Sequence, residues 1–148
     1  MWDKDTIFEK VATSADKYGY SNPQQWKQLV FAIKKSEEQQ VYEALVKFFT
    51  TENANNPIRQ ELAGRLLYEL KPQANIQIEA VIKLSLENYD LSVEHYLFYF
   101  VERLGIEEVK RTIATINRKK LSETEINSLE TMEFWLKNYD GWAKQNNG

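Results

Sequence analysis

Apolar side chains recur along the chain at intervals of three and four residues, the spacing of one helical face, whereas the alternation typical of β-strands is weak. Helix starts are marked by polar residues. Asn22 and Asn56 each precede a proline, as is typical of an N-cap followed by the first helical residue. Ser122 and Glu125 form a capping box ahead of an apolar run. The pattern predicts helices over residues 4–18, 23–35, 38–50, 57–70, 76–88, 93–104, 106–118 and 122–138.

The connections between these helices are short, and the loosest are residues 51–56 and 71–75. Short links favour antiparallel packing of consecutive helices. We therefore predict an all-α fold of about eight short helices, stacked as antiparallel hairpins in a HEAT-like array or an irregular bundle. No shift in composition marks a domain boundary. A single helical domain is expected over residues 1–140, with a polar C-terminal tail over 141–148.

One segment resembles a known repeat. PIRQELAGRLLYEL, residues 57–70, has a proline, an apolar residue and an arginine, followed by Leu62, Ala63, Leu66, Leu67 and Leu70. In this arrangement it resembles one helix of a HEAT repeat. The resemblance covers 14 of the 148 residues and implies stacked helix pairs, without indicating a partner. The two Asn–Pro helix starts also lie 34 residues apart, within the range of repeats built from helix pairs.

Composition and charge narrow the classes of partner. The chain is 43% hydrophobic and 28% charged, as is ordinary for a globular protein. Its 22 acidic and 19 basic residues leave a formal net charge of −3, which provides no long-range attraction to nucleic acid or anionic lipid. One basic cluster, Lys110, Arg111 and residues 118–120, is explained by pairing along a helix and by a helix C-terminus. Neither nucleic acid nor a membrane is an expected partner.

The location of the protein is predicted from three features. The chain has no cysteine, which excludes disulfides, thiolate nucleophiles and cysteine-ligated metals. Its start, MWDKDTIFEK, is charged throughout and lacks the apolar stretch of a signal peptide. The longest apolar run, Tyr96–Val101, is far too short to cross a bilayer. A cytoplasmic location is expected.

Motifs for catalysis and for cofactors are missing from the sequence, which has no HExxH pair, EF-hand loop or glycine-rich phosphate loop. His95, the only histidine, has Ser92 three residues before it and Glu102 seven after it. Ser92 is better placed as the N-cap of its helix, and a helix interior offers no free backbone N–H groups for an oxyanion. We therefore predict no enzyme, no catalytic residue, no metal and no cofactor.

The helix predicted over residues 93–104 carries apolar side chains on two sides. An arc of about 140° faces one way, as in a core-facing helix, and its members are Val93, Tyr96, Leu97, Phe100, Val101 and Leu104. The opposite side should be polar, yet it holds His95, Phe98, Tyr99 and Glu102. Either the helix is central and covered on both sides, or these four residues form an exposed protein-binding surface.

The sequence also predicts the surroundings of three tryptophans. Trp26 and Trp135 share helical faces with apolar residues and are expected in the core, Trp135 near its edge. Trp142 follows the last predicted helix. There it either anchors the polar tail to the domain or is available to a partner.

By elimination, the sequence favours a non-enzymatic protein-binding module. One form of it is an acidic neutralising protein, such as the immunity protein of a toxin–immunity pair, which binds a basic partner. The alternative is a small-ligand-binding or sensory helical bundle with a pocket near His95. The residues expected to bind the partner are His95, Phe98, Tyr99, Glu102 and Trp142.

Overall fold

A computed structural model describes residues 1–52 and 54–147. Asn53, in the predicted loop 51–56, and Gly148, at the end of the predicted tail, lie outside the described residues. Nine α-helices and no strand occur in the described part, which confirms the all-α fold. The helices are α1 (Lys4–Tyr18), α2 (Pro23–Ile33), α3 (Glu38–Thr50), α4 (Pro57–Leu70), α5 (Ile78–Ser85), α6 (Glu94–Leu104), α7 (Ile106–Thr115), α8 (Glu123–Lys137) and α9 (Tyr139–Asn147).

Several helix boundaries coincide with the caps that the sequence contains. α1, α3 and α4 begin and end at the predicted residues. The side chains of Asn22, Asn56 and Ser122 each accept a hydrogen bond from a backbone N–H in the first turn of their helix. Ser122 and Glu125 form the predicted capping box. The resemblance of α4 to a HEAT helix stays a prediction, because one helix does not test a repeat.

The C-terminal segment differs from the prediction. α8 ends at Lys137 and residues 139–147 form α9, so the boundary expected at residue 140 falls inside a helix. The backbone N–H of Trp142 donates to the carbonyl of Asn138 at 3.1 Å, which ties the start of α9 to the end of α8. Trp142 is partly buried and packs against the hydrophobic core. The packing of Trp142 holds residues 139–147 against the domain, although the polar composition of residues 141–148 predicted a tail.

α6 is the central helix. Its contact with α4 is the most extensive between any two described helices, and it also packs against α7 and α8. Tyr96, Leu97, Phe98, Tyr99 and Phe100 are all 0% exposed. The structure therefore supports the first of the two interpretations, in which α6 is covered on both sides. Among the described helices, none has both the length and the apolar character needed to cross a bilayer.

α4 and α6 approach closely because Gly64 lies at their crossing. A Cβ atom on Gly64 would lie 2.9 Å from Cγ1 of Val93 and 3.3 Å from the backbone nitrogen of Tyr96. Both neighbours are fully buried and packed, so neither has room to move aside. A glycine inside a helix costs about 1 kcal/mol relative to alanine. The close crossing explains why α4 has a glycine at this position.

Gly64→Ala should lower the free energy of unfolding by about 1–2 kcal/mol, although alanine is the better helix former, because overpacking outweighs the gain in helix propensity. Urea denaturation of the purified chain measures the change. Gly141→Ala in α9 is the matched control, since an added Cβ there meets nothing within 4 Å. The control should leave the stability unchanged or slightly raised. Equal effects of the two substitutions would contradict a steric role for Gly64.

Candidate binding groove beside His95

A groove of about 380 Å³ lies between the α1–α2 connection, the first turn of α2, α4 and the start of α6. It opens at the surface, because Tyr20, Lys27 and Glu69 are exposed. We refer to it as the His95 groove. Its lining residues are Tyr20, Ser21, Pro23, Trp26, Lys27, Arg65, Tyr68, Glu69 and His95.

One wall of the groove is built by the turn that joins α1 to α2. Gly19 ends α1 with a φ of 74°, a left-handed conformation that glycine adopts without steric cost. Asn22 then caps α2 by accepting a hydrogen bond from the backbone N–H of Gln25 at 3.0 Å. These two local constraints place Tyr20 and Trp26 along the groove.

The opposite wall comes from α4, where Arg65, Tyr68 and Glu69 share one helical face. The guanidinium of Arg65 lies 4.9 Å from the centroid of the Tyr20 ring, which is a cation–π contact. The Arg65 Nε also donates to Oε1 of Glu61 at 3.1 Å. Contacts with a ring and a carboxylate therefore restrict the orientation of Arg65 before anything binds.

His95 enters the groove from the first turn of α6. Its imidazole packs edge-on against the rings of Tyr68 and Trp142, with centroid distances of 5.6 and 5.2 Å. Its Nδ1 is buried and has no hydrogen-bond partner among the described residues. Burial lowers the pKa of His95 from 6.5, while the charges of Glu94 and Arg65 act in opposite directions. The imidazole is therefore neutral at pH 7.

Phe98 and Tyr99 are core residues. Both are 0% exposed. The ring of Phe98 packs against Trp142 at a centroid distance of 4.4 Å, and the hydroxyl of Tyr99 donates to the carbonyl of Pro72 at 2.8 Å. The expectation that Phe98 and Tyr99 contact a partner is therefore corrected, because the segments packed around α6 leave them no accessible surface.

The other residues expected to bind a partner occupy different environments. Glu102 is exposed and accepts a hydrogen bond from the hydroxyl of Tyr139 at 2.7 Å. Trp142 packs against His95 and Phe98 and so anchors α9. Of the five predicted residues, His95 alone lines the groove.

Ser92, His95 and Glu102 do not form a hydrogen-bonded relay in this structure. The Ser92 hydroxyl donates to Oδ1 of Asp90 at 2.6 Å, and Glu102 is bonded to Tyr139. The expected N-cap at Ser92 is also wrong, since Val93 occupies the cap position without a side-chain hydrogen bond. In residues 1–52 and 54–147, no group of three or more carboxylate or imidazole side chains is arranged to hold a metal ion.

The aromatic walls of the groove were not singled out by the sequence. Trp26, which was expected in the core, is half-buried and packs against the core, and it also lines the groove. The only local signal was the shared helical face of Arg65, Tyr68 and Glu69. The lining residues come from three separate segments, 20–27, 65–69 and 95, which only the tertiary fold brings together.

No protein-family model matches this chain, and comparisons with curated proteins and with solved structures found no match either. The side chains that line the groove nevertheless indicate what kind of molecule it can hold. The rings of Tyr20, Trp26 and Tyr68 offer apolar contact, and the charges of Lys27 and Glu69 lie among them. Aromatic surface combined with a few polar groups is suited to holding another molecule.

His95 should make the protein less stable in mild acid. Because its pKa is lowered in the folded state, the unfolded chain takes up a proton more readily as the pH falls below 6.5. The free energy of unfolding should therefore fall as the pH drops from about 7.5 to about 5. Urea denaturation across this range measures the effect.

The control for this prediction is His95→Gln, which cannot titrate. Subtracting its unfolding free energy at each pH removes the contributions of other groups, including Glu61, whose pKa burial raises. The native chain should lose stability relative to the variant as the pH falls. Parallel curves for the two proteins would show that His95 does not prefer its neutral form in the fold.

Proposed function

We propose that this chain is a non-enzymatic protein-binding module and that a partner protein inserts side chains into the His95 groove. The observation that carries the proposal is the composition of the groove. Trp26, Tyr20, Tyr68 and Arg65 line one open depression, and tryptophan, tyrosine and arginine are the residue types that contribute most to binding energy at protein interfaces.

The side chains that line the groove are already ordered, and this order supports a role in binding. Arg65 is held between the ring of Tyr20 and the carboxylate of Glu61. Tyr68 is largely buried, and its ring packs edge-on against Trp142 at a centroid distance of 5.2 Å. Side chains that are already ordered lose little conformational entropy when a partner binds, which leaves more of the contact energy as affinity.

The charge distribution supports a basic partner. Residues 37–108 contain 13 of the 22 acidic residues and 6 of the 19 basic ones. An excess of acidic side chains at the surface of a protein accelerates its association with a basic protein. An immunity-type protein that neutralises a basic toxin in the cytoplasm is the particular form of the module that we propose.

The second candidate is a small-ligand-binding or sensory bundle, and the presence of His95 in the groove favours it. Sites for small molecules typically enclose about 300–1,000 Å³. The groove, at about 380 Å³, is within that range, and His95 lines it as that alternative expected. A small apolar or aromatic molecule would contact the same rings that a partner's side chain would contact.

Photo-crosslinking from the groove tests the proposal. Tyr20 is replaced by p-benzoylphenylalanine, and the protein is illuminated in the cells from which it comes. Tyr18 is the matched control position, because it is 50% exposed against 39% for Tyr20 and lies outside the groove. We expect a covalent adduct with one basic protein from position 20 and none from position 18. Identical adducts from both positions, or none from either, would contradict the proposal.

Tyr20→Ala should then weaken binding of the captured protein about tenfold or more, because it removes a ring face and the stacking partner of Arg65. Tyr18→Ala should change the affinity less than about twofold. Calorimetric titration of both variants measures the difference, and circular dichroism checks that both fold. Native mass spectrometry distinguishes the second candidate, which requires a bound small molecule that Tyr20→Ala loses.

A further inference from the structure

A second surface lies on the α5–α6 connection and α8. Leu91 is 45% exposed and Phe134 is 57% exposed, although both are large apolar side chains. Trp135 links them, since its Nε1 donates to the carbonyl of Leu91 at 3.1 Å and its ring lies 5.4 Å from that of Phe134. We call Leu91, Phe134 and Trp135, with the neighbouring carboxylates of Asp90, Glu94 and Glu130, the Leu91–Phe134 patch.

Hydrogen bonds with buried side chains hold the α5–α6 connection, which carries Leu91, in place. Gln60 is 0% exposed, and its side-chain amide donates to the carbonyl of Asn88 at 2.7 Å. The backbone N–H of Asp90 donates to the other end of the same side chain at 2.8 Å. Ser128 of α8 donates to the carbonyl of Leu86 at 2.7 Å. The exposed apolar residues therefore sit on an ordered support.

Three carboxylates lie near the apolar residues of the patch along the chain. Asp90 directly precedes Leu91 in the chain, and Glu94 is the first residue of α6, three residues after Leu91. Glu130 lies one helical turn before Phe134 on α8, and Lys137 lies one turn after it. No lysine or arginine in the described part of the chain pairs with Asp90, Glu94 or Glu130. Asp90 already accepts hydrogen bonds from the backbone N–H and the hydroxyl of Ser92, so Glu94 and Glu130 are the carboxylates of the patch that are left for a partner's cation.

We propose that the Leu91–Phe134 patch docks a basic amphipathic helix of a partner protein. The apolar stripe of such a helix would cover Leu91 and Phe134, and lysine or arginine beside the stripe would pair with Glu94 and Glu130. The carboxylates of the patch disfavour nucleic acid and anionic lipid, which they would repel. This surface shares no residue with the His95 groove, so the inference goes beyond the proposed function.

Two synthetic peptides test the docking surface with the full chain. Both have about 14 residues, roughly four helical turns, with leucine along one stripe. One carries lysine at the remaining positions and the other carries glutamate. Backbone amide chemical shifts should change at residues 90–94 and 130–135 on addition of the lysine peptide only. The lysine peptide should bind more weakly as salt is raised, because the charges contribute to its affinity. Absence of binding, or shift changes centred on the His95 groove, would overturn the inference.

Matched variants locate the contact. Phe134→Ser should weaken binding of the lysine peptide by about tenfold or more. Phe31→Ser is the control, because Phe31 is 65% exposed on α2 and its ring is covered by Lys35 at 3.8 Å. It should change the affinity less than about twofold. The double substitution Glu94→Gln with Glu130→Gln should reduce the salt dependence. Equal weakening by Phe134→Ser and Phe31→Ser would overturn the inference.

Discussion

The crossing of α4 over α6 at Gly64 is the constraint on which the rest of the structure depends. A Cβ atom at Gly64 would lie 3.7 Å from Cβ of His95, so the backbones at this point are separated by little more than one side-chain atom. Any larger residue would push α6 away from α4. Because His95 lies on α6 and Tyr68 on α4, that displacement would separate the two residues that meet at the groove. A single glycine therefore sets both the packing of the central helix and the shape of the candidate site.

Burial of α6 on both sides would be costly if its tyrosine hydroxyls had no partners, and the fold supplies one for each. The Tyr96 hydroxyl lies 2.6 Å from the hydroxyl of Ser85, and the Tyr99 hydroxyl donates to the carbonyl of Pro72. Burial raises the pKa of both phenols, so each keeps its proton and remains able to donate. These directional bonds fix the rotation and the height of α6, which apolar packing alone would fix less sharply. The position of His95 follows from them.

Helices could be predicted where consecutive residues mark their starts. The candidate site could not be predicted, because its residues are distant in the sequence and meet only in the folded chain. Asn22, Asn56 and Ser122 marked helix starts, since a cap is read from a few consecutive residues. The helical wheel of α6 separated its two faces, but on the second face Phe98 is covered by Trp142, more than forty residues later in the chain, and Tyr99 by the segment around Pro72. α9 was missed for the same reason, because its sequence is polar and its anchor lies on α6. The groove joins a turn, a helical face and one histidine, and no pattern along the chain connects them.

The His95 groove and the Leu91–Phe134 patch meet at the start of α6, where Glu94 and His95 are consecutive residues. Coupling between two sites requires an element with two arrangements that both ligands bias. The start of α6 is fixed by the crossing at Gly64, and the Tyr89 hydroxyl, which donates to the carbonyl of Val93 at 2.8 Å, closes the turn before it. These contacts hold the start of α6 in place between the two surfaces. A partner that engages both surfaces would gain affinity by linkage of two contacts within one molecule, as in bivalent binding, and not by a change in the shape of this chain.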